Sequence, residues 1–345
     1  MNAITTTVTS LSQLFLTQLP LNLIWLLLGT SLMLFPGCAP NGDISYQVNE
    51  QEERVDIFYG DELFTSLQYA EHFKKPILYP LKTARGTVVT REFLNPQLGE
   101  RRGHPHQVGV WLTYGNVNGR DFWNVSNAHP PPDRYHQFGA IHHKELKSVT
   151  SDGKKVELQL TADWITLDGV KLLEESTTYV FSGSDNQRHF DRITTLTASE
   201  KDISLKDDKE GMFGMRVTHE LSHPDQGEGA TGIYLSSEGL TGHDVWGKRA
   251  KWVSLNGNVD GENISIVILD HPQNPGYPAY WHARGYGLFA ANPLGQESLS
   301  DGKDVLDYQL RAGESVTFRY RVILYSDQEL TGDVIDGEWM DFSRM

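Results

Sequence analysis

The chain has 345 residues and a formal net charge of −15. That charge argues against binding along a DNA or RNA backbone, where affinity comes from neutralising phosphates, and it fits a neutral or cationic substrate. A single cysteine, Cys38, rules out a disulfide, a thiolate nucleophile or Cys-ligated zinc beyond it, so a large apolar core must hold the rest together.

Residues 1–37 carry no charged side chain, and Leu19 to Phe35 is an apolar run ending in Pro36-Gly37-Cys38. An apolar segment followed by small residues and a cysteine resembles a bacterial lipoprotein signal. The expectation is removal of 1–37, acylation of Cys38, and export to the periplasmic face or cell surface with membrane contact through lipid alone. No Lys or Arg precedes the run, and Phe35-Pro36 replaces the usual Leu plus small residue. An uncleaved anchor or a misplaced start codon are the alternatives. Residues 38–53 are polar and read as a tether.

From Arg54 onward, short runs rich in β-branched and aromatic residues alternate with turn signals. In 155–161, Val156, Leu158 and Leu160 share one face against Lys155, Glu157 and Gln159. In 315–325, Val316, Phe318, Tyr320, Val322 and Leu324 do the same. This period of two predicts strands, and no helical stretch is long enough to pack between parallel ones. No repeat of fixed period is present. The reading is all-β: one large antiparallel β-sandwich over 54–345.

Four clusters carry chemistry. The first, 85–123, packs Arg91, Glu100, Arg101, His104, His106, Trp111 and Trp123 among glycines. Pro105 is expected to push His104 toward extended geometry, so that His104 and His106, at i and i+2, share a face. Such a pair can converge on one ligand or metal; as a bland alternative, both are polar loop residues. The second cluster ends in His142-His143, of which only one can face a given site. The third, 242–252, holds His243, Asp244, Trp246 and Arg249, a composition suited to a sugar-binding wall or to a salt-bridged rim. The fourth, 270–295, holds His271, His282, Arg284 and Asn292 between prolines and glycines. There is no GxSxG elbow, P-loop, GxGxxG or HExxH, so catalysis falls to histidine and carboxylate groups or to a histidine-rich metal site.

TREFLNPQLGERRGHPHQVGVWLTYGNVNGRDFW, GMFGMRV, WGKRAKW and HPQNPGYPAYWHARGYGLFAANPLG together resemble the bacterial family labelled "methane oxygenase PmoA-like", from about Arg54 to Tyr325. The resemblance implies a β-supersandwich of the galactose-mutarotase type. It points to Arg91, Glu100, Arg101, His104, His106, Trp111, Trp123, Trp246, Arg249, His271, His282, Arg284 and Asn292. Gly103 and Gln107 stand where that family often has Asp and His, which puts metal ligation there in doubt. No transmembrane-length apolar run follows Cys38, so the label's chemistry is set aside.

The functional expectation is an exported carbohydrate-active enzyme working by acid–base chemistry: hydrolysis, elimination or epimerisation. His104, His106 or His282 would transfer protons, with Glu100 or Asp244 as partner carboxylate. Arg91, Arg101 and Arg284 would hold hydroxyls or an oxyanion, and Trp111, Trp123 and Trp246 would form stacking walls. Arg249, His271 and Asn292 complete the binding set. No cofactor is required, although the histidine cluster could hold a divalent metal. The alternatives are a non-catalytic glycan-binding lipoprotein and a His-ligated metal oxygenase.

Overall fold

The alternation in 315–325 is realised in a strand that buries Val316, Phe318, Tyr320, Val322 and Leu324 together. The same holds for Val156, Leu158, Leu160, Ala162 and Trp164 in 155–166. The computed structural model describes residues 42–91, 103–126, 132–328 and 330–345. The expected signal peptide, Cys38, Glu100 and Arg101 therefore lie outside the described residues.

In chain order the first strands are β1 (Ile44–Asn49), β2 (Arg54–Tyr59), β3 (Glu62–Gln68), β4 (Ile77–Leu81), β5 (Val110–Tyr114) and β6 (Gly139–Ser151). Then come β7 (Lys155–Thr166), β8 (Lys171–Ser184), β9 (Gln187–Ala198), β10 (Ile203–Leu205), β11 (Gly211–Arg216) and β12 (Ile233–Ser236). The last are β13 (Trp252–Val259), β14 (Glu262–Asp270), β15 (Tyr280–Arg284), β16 (Leu288–Asn292), β17 (Tyr308–Leu310) and β18 (Ser315–Ser326). One 8-stranded sheet runs β1-β2-β3-β4-β5-β11-β16-β15, a second runs β12-β13-β14-β18-β9-β8-β7-β6, and β10 pairs with β17. Every strand pair in these sheets is antiparallel. The expectation of a large antiparallel sandwich is met.

The described residues from 42 onward pack as one compact unit. The main core draws on both large sheets: Phe213 of β11 stacks on Tyr320 of β18 with centroids 4.7 Å apart. Each such ring fully removed from water contributes about 1.5–3 kcal/mol. Inside the second sheet, Arg192 donates to Glu175 at 2.8 Å, and both side chains are almost wholly buried. Trp164 Nε1 also donates to Glu175, at 2.8 Å.

One expectation is corrected. The stretch 38–53 is not tether throughout, because β1 pairs with β2 and Ile44 N donates to Gly153 O at 3.0 Å. A C-terminal helix, Gly332–Phe342, also exists. Its Ile335, Trp339 and Phe342 pack on Trp252, Val267, Leu269, Ile323 and Tyr325, covering the face of the second sheet turned away from the main core. Among the described residues no helix is long and apolar enough to cross a membrane.

Candidate functional site

Period two on β15 decides where the chemistry goes. Trp281 and Ala283 belong to the main core, so His282 and Arg284 emerge on the opposite face of the first sheet. Strand register continues both rows: His282 lies opposite Ala290, then Gly214, then Trp111, and Arg284 opposite Leu288, then Arg216. Trp111 and Trp123 lean over the small residues of the first row. A Cβ on Gly214 would stand 3.2 Å from Trp123 Cη2 and 3.3 Å from Trp111 Cζ2. These tryptophans join Leu288 and Ala290 in an apolar layer against which Tyr286 packs.

The His104-Pro105-His106 segment is a turn closed by Gln107 N donating to His104 O at 3.0 Å. Pro105 occupies the position a β-turn favours for proline. His104 is left-handed at φ 61°, not extended as expected. Local contacts override the pre-proline preference: the buried Arg91 guanidinium donates to the carbonyls of Gly103 and His104 at 3.0 Å and of Gln107 at 2.8 Å. Lys75 Nζ donates to His106 O at 2.6 Å, and Arg216 donates to Gln107 Oε1 at 2.6 Å. Burial beside the Trp111 ring pulls the Lys75 pKa down to about 7, against the opposing pull of Asp121. The two imidazoles still converge, with ring centroids 5.5 Å apart, and His104 stacks on Tyr286 at 5.2 Å and 7°.

Between this turn and β15 lies a cleft of about 360 Å³. His104, His106 and Gln107 line one side; Lys209, Glu210, His282 and Arg284 line the other, with Asn124 and Tyr286. His282 Nδ1 is 3.0 Å from the Lys209 carbonyl, which can only accept, so Nδ1 carries the proton and Nε2 keeps its lone pair. Burial lowers the His282 pKa to about 4 despite the Glu210 carboxylate 3.9 Å away, and the ring is neutral at pH 7. Burial raises the carboxyls of Asp121 and Asp208, with Glu210 adding repulsion to each. Asp121 accepts from Asn124 Nδ2 at 2.8 Å and so fixes that amide.

A second cleft of about 340 Å³ shares Arg284 and Tyr286 with the first and adds Gln226, His243 and Trp246. The Arg284 guanidinium lies over the Trp246 ring at 5.2 Å and forms no carboxylate ion pair among the described residues. Trp246 is 37% exposed, the one tryptophan available as a stacking surface among those singled out by the sequence.

The clefts thus bring together His104, His106, His282, Arg284 and Trp246 from three of the four clusters. Other expected site residues are elsewhere or otherwise engaged. Trp111 and Trp123 are fully buried and cannot stack on a ligand. Arg91 spends its guanidinium on the turn. Arg249 is held by Asp304, Gln296 and two carbonyls. His271 is sealed against Phe342, and Asn292 caps a turn by accepting from Gly295 N. Asp244 is exposed and lines neither cleft. Neither His142 nor His143 lines either of these two clefts, and His143 packs on Tyr69.

Sequence reasoning missed Lys75, Glu210 and Tyr286. Glu210 closes the run Asp207-Asp208-Lys209-Glu210, which reads as a solvated turn. Lys75 sits in a pair of lysines before an apolar strand, with no pattern to mark it as buried. Tyr286 stands between the two glycines after His282 and Arg284, a signal available in the fourth cluster.

Comparisons with solved structures return distant matches. The galactosidase domain of the alpha-galactosidase-sucrose kinase AgaSK aligns with TM-score 0.40 and 10% identity, over 82% of this chain and 42% of that one. The galactose 1-epimerase of Lactobacillus acidophilus NCFM gives 0.39 and 10%, over 84% of this chain and 100% of the epimerase. The Geobacillus stearothermophilus alpha-galactosidase AgaA, in complex with stachyose, gives 0.35 and 13%, over 84% and 41%. The chain spans less than half of the two galactosidases. At these values the likeness concerns broad architecture and says nothing of chemistry. No curated protein matches by sequence. The resemblance to the PmoA-like family is overturned, because the family that matches, over residues 54–340, is another. The chain belongs to DUF6807, a family of unknown function.

Proposed function

We propose that the paired clefts form the active site of an enzyme that moves a proton on a carbohydrate substrate. The observation that carries this is His282: a buried, neutral imidazole whose Nδ1–H is committed to the Lys209 carbonyl, leaving Nε2 as an acceptor on a ring that lines the cleft together with Glu210 and Arg284. In this reading Nε2 takes the proton, and Arg284 holds the negative oxygen that develops. Among the described cleft residues Glu210 is the single carboxylate, which favours imidazole proton transfer over hydrolysis by a carboxylate pair. The stacked His104 is the partner that returns the proton in an isomerisation; loss of a leaving group completes an elimination.

The sugar assignment is supported by the lining. Gln107, Asn124, Lys209 and Glu210 supply hydrogen bonds for hydroxyls, while the exposed Trp246 offers a ring face to apolar C–H surfaces. The exposed Trp246 beside Arg284 also favours a second reading, a glycan-binding protein without catalysis.

Proton NMR of candidate sugars in deuterated buffer separates the two. An enzyme washes deuterium into the substrate, and His282→Asn, which keeps the donation to Lys209 and removes Nε2, slows exchange about 10²–10⁴-fold. Binding stays intact in that variant, whereas Trp246→Ala weakens it. A wild type that binds sugar with no exchange supports the binder. A His282→Asn variant that exchanges at the wild-type rate refutes the role given to His282.

A further inference from the structure

Beside the second cleft, two short segments, 223–226 and 242–245, bring His223, Asp225 and His243 together. Their candidate donor atoms all lie within 4.8 Å of one another. Asp225 Oδ2 is 2.7 Å from His243 Nε2, and Oδ1 is 3.1 Å from His223 Nδ1. The two rings sit 4.0 Å apart at 39°. The His223 N–H is anchored to the Gly285 carbonyl at 2.8 Å, at the end of β15.

Two features set this cluster apart from a chance hydrogen-bonded group. First, His223 Nδ1 lies 3.3 Å from the Asp225 amide nitrogen and 3.1 Å from Asp225 Oδ1, an oxygen that also accepts from Gln226 Nε2 at 2.7 Å. Two electron-rich atoms at 3.1 Å repel unless a proton or a metal cation lies between them. Second, the backbone leaves room for the pair. A Cβ on Gly285 would fall 2.6 Å from His243 Cε1 and 3.3 Å from His223 Cβ, and Gly285 has no left-handed φ to need glycine for.

We propose that His223, Asp225 and His243 bind a divalent first-row transition metal, of which Zn²⁺ is the reference ion. Two imidazole nitrogens and one carboxylate oxygen form a donor set that suits zinc and its neighbours; Ca²⁺ and Mg²⁺ prefer all-oxygen sites. Zinc–nitrogen bonds of about 2.0–2.1 Å place tetrahedral donors roughly 3.3 Å apart. The present separations reach that value by small rotations, for which the half-exposed His243 and Asp225 are free. Because His243 also lines the second cleft, the remaining coordination positions are open to water or to a ligand there. The site is separate from His104 and His106, and the inference stands whether or not the clefts carry out proton transfer.

The test uses the full chain stripped with a chelator, then titrated with Zn²⁺ by calorimetry and with Co²⁺ by visible absorption. The expected result is one ion per chain, Co²⁺ bands of low-coordinate nitrogen–oxygen ligation, a higher Tm with Zn²⁺, and no response to Mg²⁺ or Ca²⁺. His243→Ala and Asp225→Asn each weaken Zn²⁺ binding beyond the roughly 10–100-fold typical of losing an outer-shell partner. Both positions are half-exposed, and circular dichroism verifies that the variants fold. Gly285→Ala, which keeps all three donors but crowds His243, weakens it as well. His104→Ala leaves it unchanged. A wild type that takes up no Zn²⁺, or one whose uptake survives both ligand replacements or is lost with His104, overturns the proposal.

Discussion

His282 Nδ1 sits 3.0 Å from the Lys209 carbonyl oxygen, joining β15 to the acidic segment before β11. Burial holds the folded-state pKa near 4, below the ordinary 6.5. The unfolded chain therefore takes up a proton as pH falls through 6.5, and the folded chain does so only near 4. Stability contributed by the neutral ring is complete above about pH 6.5 and declines toward pH 4. Between pH 7 and pH 5 this one group should cost about 2 kcal/mol. Urea unfolding at the two values checks it: His282→Asn should show a decrease smaller by about that amount. An equal decrease in both proteins refutes the assignment.

The grip of Arg91 on three carbonyls predicts that its shape matters as much as its charge. Arg91→Lys keeps a cation but cannot reach Gly103, His104 and Gln107 at once. With about 1.5–3 kcal/mol for each hydrogen bond to a charged group, the expected destabilisation is about 3 kcal/mol after partial compensation. Denaturant midpoints measure it. A loss below about 0.5 kcal/mol shows that the turn holds without this contact.

Glu175 accepts from Arg192, Trp164 and Thr177 in the interior of the second sheet. Removing its charge alone strands a buried guanidinium. Glu175→Gln should cost about 3–5 kcal/mol, while the joint change Glu175→Leu with Arg192→Met should cost less than the single one. Unfolding curves for the two proteins decide the order, and the reverse ranking contradicts this account of the pair.

The alternation of Val156 to Trp164 and of Val316 to Leu324 made the strands legible, because a sheet with one face in the core repeats every second residue. The C-terminal helix was hidden, since of its five apolar residues only Ile335, Trp339 and Phe342 pack inward, Val334 and Met340 are exposed, and Gly337 lies inside. Within the site, unusual residue types in irregular segments marked His104, His106, His282, Arg284 and Trp246. The same cue failed for Trp111, Trp123, His271 and Asn292: a tryptophan or histidine near turns looks alike whether it faces solvent or seals the layer beneath. Lys75 and Glu210 escaped because what distinguishes them is burial and proximity across the sheet.

β15 serves two masters. Its odd positions, Trp281 and Ala283, fill the interior, and its even positions, His282 and Arg284, furnish the cleft. Inserting or deleting one residue in this strand would exchange the two sets, driving an arginine into the core and a tryptophan into the site. Variation of the site by change in chain length is therefore confined to its rims, the turn at 103–107 and the loop at 242–246. Diversification along β15 itself must proceed by substitution at constant length, so alignments of relatives should be gapless across 280–284 while gaps collect at the rims.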